Sequence, residues 1–96
     1  DTGSAGWMYR LLVESLLGLQ RQGDRLRLAP CVPPDWEAYR IQYRFGRTLY
    51  DIEVRQRDGG APALSLDGVA QADERLDLRD DGGVHAVVLE WPRGPA

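Results

Sequence analysis

Apolar positions fall into two regimes along the chain. From Ala5 to about Leu19 they follow a helical period, with Met8, Leu11, Leu12, Leu16 and Leu19 at i, i+3, i+4 spacing and only Ser15 interrupting the stripe. Trp7, Val13 and Leu17 add apolar surface off that stripe, so the predicted helix is built for burial on more than one side. Nothing else in the 96 residues reads as a second helix to cover it, which suggests that part of its natural surroundings lies elsewhere. Arg10 and Glu14 sit one turn apart and form at most a weak pair. Gly23 is the expected helix stop.

After Gly23 the period becomes 2. Leu26 and Leu28 alternate with Arg25 and Arg27 as a short strand, and Pro30, Pro33 and Pro34 punctuate the loop that follows, with Trp36 expected to anchor it. Tyr39, Ile41, Tyr43 and Phe45 then alternate with Arg40, Gln42 and Arg44. Gly46-Arg47 fits a two-residue type II′ turn, and Tyr50, Ile52 and Val54 alternate on the far side. That turn sets Phe45 against Thr48, Tyr43 against Tyr50, Ile41 against Ile52 and Arg40 against Glu53, pairing apolar with apolar and Arg with Glu. Beyond the Asp58-Gly59-Gly60 turn come a short strand at Leu64 and Leu66 ended by Asp67-Gly68, and a weak one at Leu76 and Leu78. A further turn at Asp81-Gly82-Gly83 leads to a final strand from Val84 to Trp91, apolar on both faces. Short strands with turn signals every ~8–12 residues predict a β-sandwich. The fold class expected is mostly β with one N-terminal helix, an α+β chain divided into a helical part, residues 1–23, and a β-domain, residues 24–96.

Composition narrows function more than fold. Apolar content of 43% and charged content of 28% suit a soluble globular chain. The 12 basic and 15 acidic residues are interspersed, with a net charge of −3 and no basic block, which argues against a nucleic-acid partner. No apolar run approaches the roughly 18 residues a membrane span needs. The sequence starts without Met or a signal peptide, so a piece of a longer polypeptide is expected. One cysteine allows no internal disulfide, which suits a reducing compartment.

Candidate chemistry is sparse. Thr2, Gly3 and Ser4 lie at a predicted helix start, where unpaired N–H groups and the positive end of the helix dipole favour an anion. The plainer reading is that Thr2 or Ser4 caps the helix. His85 is the single histidine and is read as a turn-flanking polar residue, because no cysteine, second histidine or acidic cluster has metal-ligand spacing with it. Cys31 has no basic activator nearby and is expected to be a small buried hydrophobe. Trp36, Tyr39, Tyr43 and Tyr50 would suit a sugar-stacking platform, but their period-2 placement favours the core. Arg40 and Arg44 are expected as solvated strand charges.

Two motifs carry a family resemblance. Thr2 to Tyr9 resembles the phosphate loop of the inverting disaccharide and β-glucan phosphorylases, glycoside hydrolase family 94, the cellobiose phosphorylase family. Ala29-Pro30-Cys31-Val32-Pro33-Pro34-Asp35-Trp36 is similar to the same family at the expected distance downstream. The run Asp1 to Glu14 resembles the C-terminal region of cyclic β-1,2-glucan synthases. The resemblance covers most of Asp1 to Val54 and is looser beyond. It implies the last helix of an (α/α)6 barrel followed by a jelly-roll-like antiparallel β-domain. It also implies that Thr2, through its hydroxyl, and Gly3, through its N–H, contact the attacking phosphate, with Ser4 as cap or supporting contact.

The implied reaction is inverting phosphorolysis giving a sugar 1-phosphate. Phosphate is itself the nucleophile, so no base to activate water is needed, only contacts that hold it in line with the anomeric carbon. The family's general acid Asp and its other phosphate-binding residues lie upstream, and no acidic residue here matches that acid. No catalytic residue and no metal ligand is therefore expected in this chain, and no cofactor beyond phosphate as co-substrate. Implied partners are β-glucan, phosphate and the rest of the barrel. A β-domain that only buttresses the barrel or binds glucan is the alternative, and a stand-alone cellobiose- or chitobiose-type phosphorylase is a third reading. The implied setting is bacterial, on the cytoplasmic side, in a parent anchored in the inner membrane whose glycosyltransferase region uses UDP-glucose. An isolated chain is expected to self-associate through its exposed helix.

Overall fold

The computed structural model describes residues 18–31 and 35–93. The predicted helix and the turn at Thr2-Gly3-Ser4 fall outside them, except at the helix's C-terminal end. There, the expectation of helix to Gly23 gives way to a strand, β1 (Leu19–Gln22), followed by β2 (Arg25–Leu28). Gly23 opens the hairpin turn between them, with φ +61°. Gly18, at φ +60°, accepts the Ala29 N–H at 3.1 Å. A Cβ on Gly18 would collide with the Ala29 carbonyl, so only glycine closes this pair.

The remaining strands are β3 (Ala38–Phe45), β4 (Thr48–Arg57), β5 (Ala63–Leu66), β6 (Val69–Gln71), β7 (Arg75–Asp77) and β8 (Val84–Pro92). They make two sheets, β1-β2-β7 and β3-β4-β8-β5-β6. The β3–β4 hairpin has the register expected from Gly46-Arg47: Phe45 opposite Thr48, Tyr43 opposite Tyr50, Ile41 opposite Ile52 and Arg40 opposite Glu53. Gly46 supplies the positive φ, +58°. The Arg40–Glu53 pair closes at 3.2 Å on the solvated face, and Arg55 joins it at 2.7 Å. First Arg55 and then Arg40 hold the Glu53 carboxyl below its usual range.

The expectation of an all-antiparallel sheet is corrected at its centre. β8 runs parallel to β4, from Leu49 opposite Val84 to Arg57 opposite Pro92, and antiparallel to β5. Parallel neighbours need a long crossover, and residues 58–83, carrying β5, β6 and β7, provide it. β8 is thus an inner strand between β4 and β5; it buries Val87 and Leu89, whereas Val84 on its other face is 71% exposed.

The core lies between the sheets. Leu26, Leu28, Leu76 and Leu78 meet Tyr50, Ile52, Val54, Leu64, Val87 and Leu89, all 3% exposed or less. Tyr39, Ile41, Tyr43, Phe45 and Leu19 pack at its margin. The Arg21 guanidinium lies 4.9 Å from the Phe45 ring centroid, a cation–π contact that ties β1 to β3. No helix among the described residues is long and apolar enough to cross a membrane.

Candidate functional site

Among the described residues the densest polar arrangement gathers at the start of β8. Thr48, the first residue of β4, is fully buried. Its hydroxyl accepts the N–H groups of Asp81 at 2.7 Å and Gly82 at 3.1 Å and donates to Asp81 Oδ1 at 3.0 Å. One buried hydroxyl thereby satisfies the backbone of the loop before β8, and Asp80 Oδ1 fastens the same loop by accepting the Arg47 N–H at 2.8 Å. The Tyr50 hydroxyl accepts the Arg79 N–H at 2.8 Å. The segment 79–83 is therefore bonded to the β3–β4 turn and to β4.

His85 stands in the middle of this end. Its ring stacks on Tyr50, its parallel-strand partner, with centroids 5.3 Å apart and planes at 28°. Nδ1 is 2.6 Å from Asp67 Oδ2, and Nε2 is 2.7 Å from Asp81 Oδ2. Each carboxylate is fixed through its other oxygen: Asp67 Oδ1 accepts the Ala86 N–H at 2.9 Å, and Asp81 Oδ1 accepts the Gly83 N–H at 2.8 Å. Hydrogen bonds from Gly83 and then His85 pull the Asp81 carboxyl down to about 2. Asp67 is lowered chiefly by His85 and next by the Ala86 N–H. His85 is raised above its usual 6.5 by Asp67 first and Asp81 second. A cleft of about 390 Å³ opens beside the group, lined also by Leu66, Val69, Gln71, Asp77 and Arg79.

These residues hold charge in place but do not converge on a substrate position. His85 is spent on two carboxylates, and no group of three metal-binding side chains occurs among the described residues. The reading of His85 as a simple turn neighbour is too weak: it joins two loops. Its one signal in the sequence is Asp81 four positions earlier; Asp67 is brought in by the β5–β6 turn.

The other sequence candidates scatter. Thr2, Gly3 and Ser4 lie outside the described residues. Cys31 is exposed, against the expectation of a buried hydrophobe, because it sits in the proline loop rather than under a sheet. Tyr50 is core, and Tyr39 and Tyr43 are half-buried on the inward face of β3, so the four aromatics form no common platform. Trp36 is 43% exposed and meets Tyr39 edge-on at 5.7 Å. Its loop is held by main chain instead: Gln56 donates its side-chain N–H to the Trp36 carbonyl at 2.5 Å and its backbone N–H to Glu37 at 2.8 Å. Arg40 and Arg44 are on the solvated face, as expected.

The described residues form a two-sheet β-domain whose polar end is bonded to itself. Sequence comparisons show which proteins the chain resembles. Residues 19–59, from β1 into the turn after β4, match the glycosyl hydrolase family 65 C-terminal domain. The chain is 41% identical over 66 residues to the cyclic β-(1,2)-glucan synthase NdvB of Rhizobium meliloti (strain 1021), covering 68% of this chain and 2% of the synthase. It is 30% identical to solabiose phosphorylase of Paenibacillus borealis, covering 93% of this chain and 12% of that enzyme. An N,N'-diacetylchitobiose phosphorylase of Vibrio proteolyticus is 29% identical over 92% of this chain and 11% of its own length. The chain belongs to the C-terminal region of this glycoside phosphorylase and glucan synthase family, the module of glycoside hydrolase family 94. It spans only a small part of each of these relatives.

Proposed function

We propose that this chain is the C-terminal part of a β-glucan phosphorylase-type module, of the kind found in a cyclic β-1,2-glucan synthase, and that it lends phosphate contacts to inverting phosphorolysis. In this reading Thr2 donates its hydroxyl and Gly3 its N–H to the attacking phosphate, and Ser4 caps the helix that follows. The sandwich fixes where that segment leaves the β-domain, through Gly18 and the β1–β2 hairpin. The general acid and the remaining phosphate contacts come from the rest of the parent polypeptide, whose phosphorolysis trims glucan and sets its length.

The observation that carries the reading is the extent of the likeness to solabiose phosphorylase. At 93% of the chain it is longer than residues 24–96 alone, so it takes in part of the segment before them. The alternative, a structural or glucan-binding domain, is favoured by the self-satisfied polar end of the sandwich.

The test is phosphate-dependent release of glucose 1-phosphate from linear β-1,2-glucan by the intact parent. Release that requires phosphate supports phosphorolysis. A folded parent that releases none leaves the structural or glucan-binding role.

A further inference from the structure

The two carboxylates around His85 impose a protonation state by geometry alone. A neutral imidazole has one N–H and one lone pair. Here both ring nitrogens face carboxylate oxygens, at 2.6 Å and 2.7 Å, and those oxygens can only accept. Both contacts are hydrogen bonds only when the ring is the imidazolium. Once the proton leaves, one lone pair confronts a carboxylate at hydrogen-bond distance, and that contact must open.

The two contacts are not equally supported. Asp81 keeps the Gly83 N–H and the Thr48 hydroxyl, while its own N–H remains on Thr48. Asp67 keeps only its exchange with Ala86, donating its N–H at 2.8 Å and accepting the Ala86 N–H. Asp67 also occupies a tight turn at φ +49°, ahead of β6, a three-residue edge strand paired only to β5. Leu66 and Val69, which flank that turn, line the cleft together with Asp77 and Arg79.

We propose that His85 is a proton-operated latch: as the imidazolium it ties the β5–β6 turn to the loop before β8, and loss of its proton frees β6 and widens the cleft beside it. The charged and titratable groups around the ring are Asp67 from the β5–β6 turn, Asp81 from the loop, Tyr50 from β4, and Asp77 and Arg79 in the lining of the cleft. The two aspartates in direct contact favour the proton, so the latch closes in acid and opens toward alkaline pH.

The experiment follows the His85 ring by NMR on the intact chain from about pH 5 to about pH 9, alongside amide-exchange protection of Val69–Gln71 corrected for intrinsic exchange. The latch predicts a His85 midpoint above 6.5. Across that midpoint β6 protection falls by about tenfold or more, while the β3–β4 hairpin stays protected. Asp67→Asn removes the demand for the second proton, so β6 protection should then be independent of pH. A His85 midpoint at or below its ordinary value overturns the proposal. So does β6 protection that ignores the midpoint, or that still follows it in Asp67→Asn.

Discussion

Tyr39 and Tyr50 bury the same phenol in two different ways. The Tyr50 hydroxyl accepts the Arg79 N–H, whereas the Tyr39 hydroxyl is buried with no hydrogen-bond partner among the described residues. Burial alone pushes the Tyr39 phenol up to about 12. An unpaired buried hydroxyl costs free energy, while a paired one gives some back. Urea unfolding of Tyr39→Phe is therefore expected to show unchanged or slightly raised stability, and Tyr50→Phe a loss of about 1 kcal/mol.

The cluster around His85 sets the pH dependence at the same scale. His85 is raised, so its contribution is complete below its ordinary 6.5 and is lost as pH rises through the higher folded value. Asp81 is lowered, so its contribution is present above its ordinary 3.8 and is lost as pH falls toward about 2. Unfolding free energy measured against pH should therefore be highest between those limits and decline on both sides. His85→Gln should remove the alkaline decline and leave the acid one.

At the scale of elements, β4 is the strand on which the sandwich depends. It pairs with β3 on one side and β8 on the other and sends Tyr50, Ile52 and Val54 into the core. Ile52→Ala should cost about 2–5 kcal/mol by the cavity it leaves, measured by chemical denaturation. Ile41→Ala, on the half-buried edge strand β3, should cost less.

The same elements mark what the sequence made legible. The β3–β4 register was readable because a two-residue turn and alternating strands are local features, and Gly46 fixes the turn. The direction of β8 was not, because alternation says which face is buried and nothing about which strand lies alongside. β1 was hidden because Leu19 continues a helical stripe, and the switch to strand depends on Gly18 meeting the Ala29 carbonyl. β6 is too short to show a period. The Asp67–His85 contact was unreadable because the β5–β8 pairing brings together residues far apart in the chain.

At the scale of the whole molecule, the described residues form a two-sheet β-domain, and the proposed phosphate contacts lie before it in the chain, at Thr2 and Gly3. The described charges are mostly spent on one another: Arg57 on Glu90, Arg93 on Asp58, and His85 on its two aspartates. The exposed arginine pairs add little stability, and no acid and nucleophile converge among the described residues. The chain covers only 12% of a phosphorylase and 2% of a glucan synthase that it resembles, so under the proposed function the acid comes from elsewhere in the parent.

The most direct test of that account is the KM for phosphate of the intact parent with and without Thr2→Ala. If Thr2 holds the attacking phosphate, the variant's KM rises by about tenfold or more, the loss of one hydrogen bond to a charged group, and its unfolding midpoint stays at the wild-type value. If KM for phosphate is unchanged in a variant that remains folded and active, Thr2 does not hold phosphate and the opening turn is a helix cap alone.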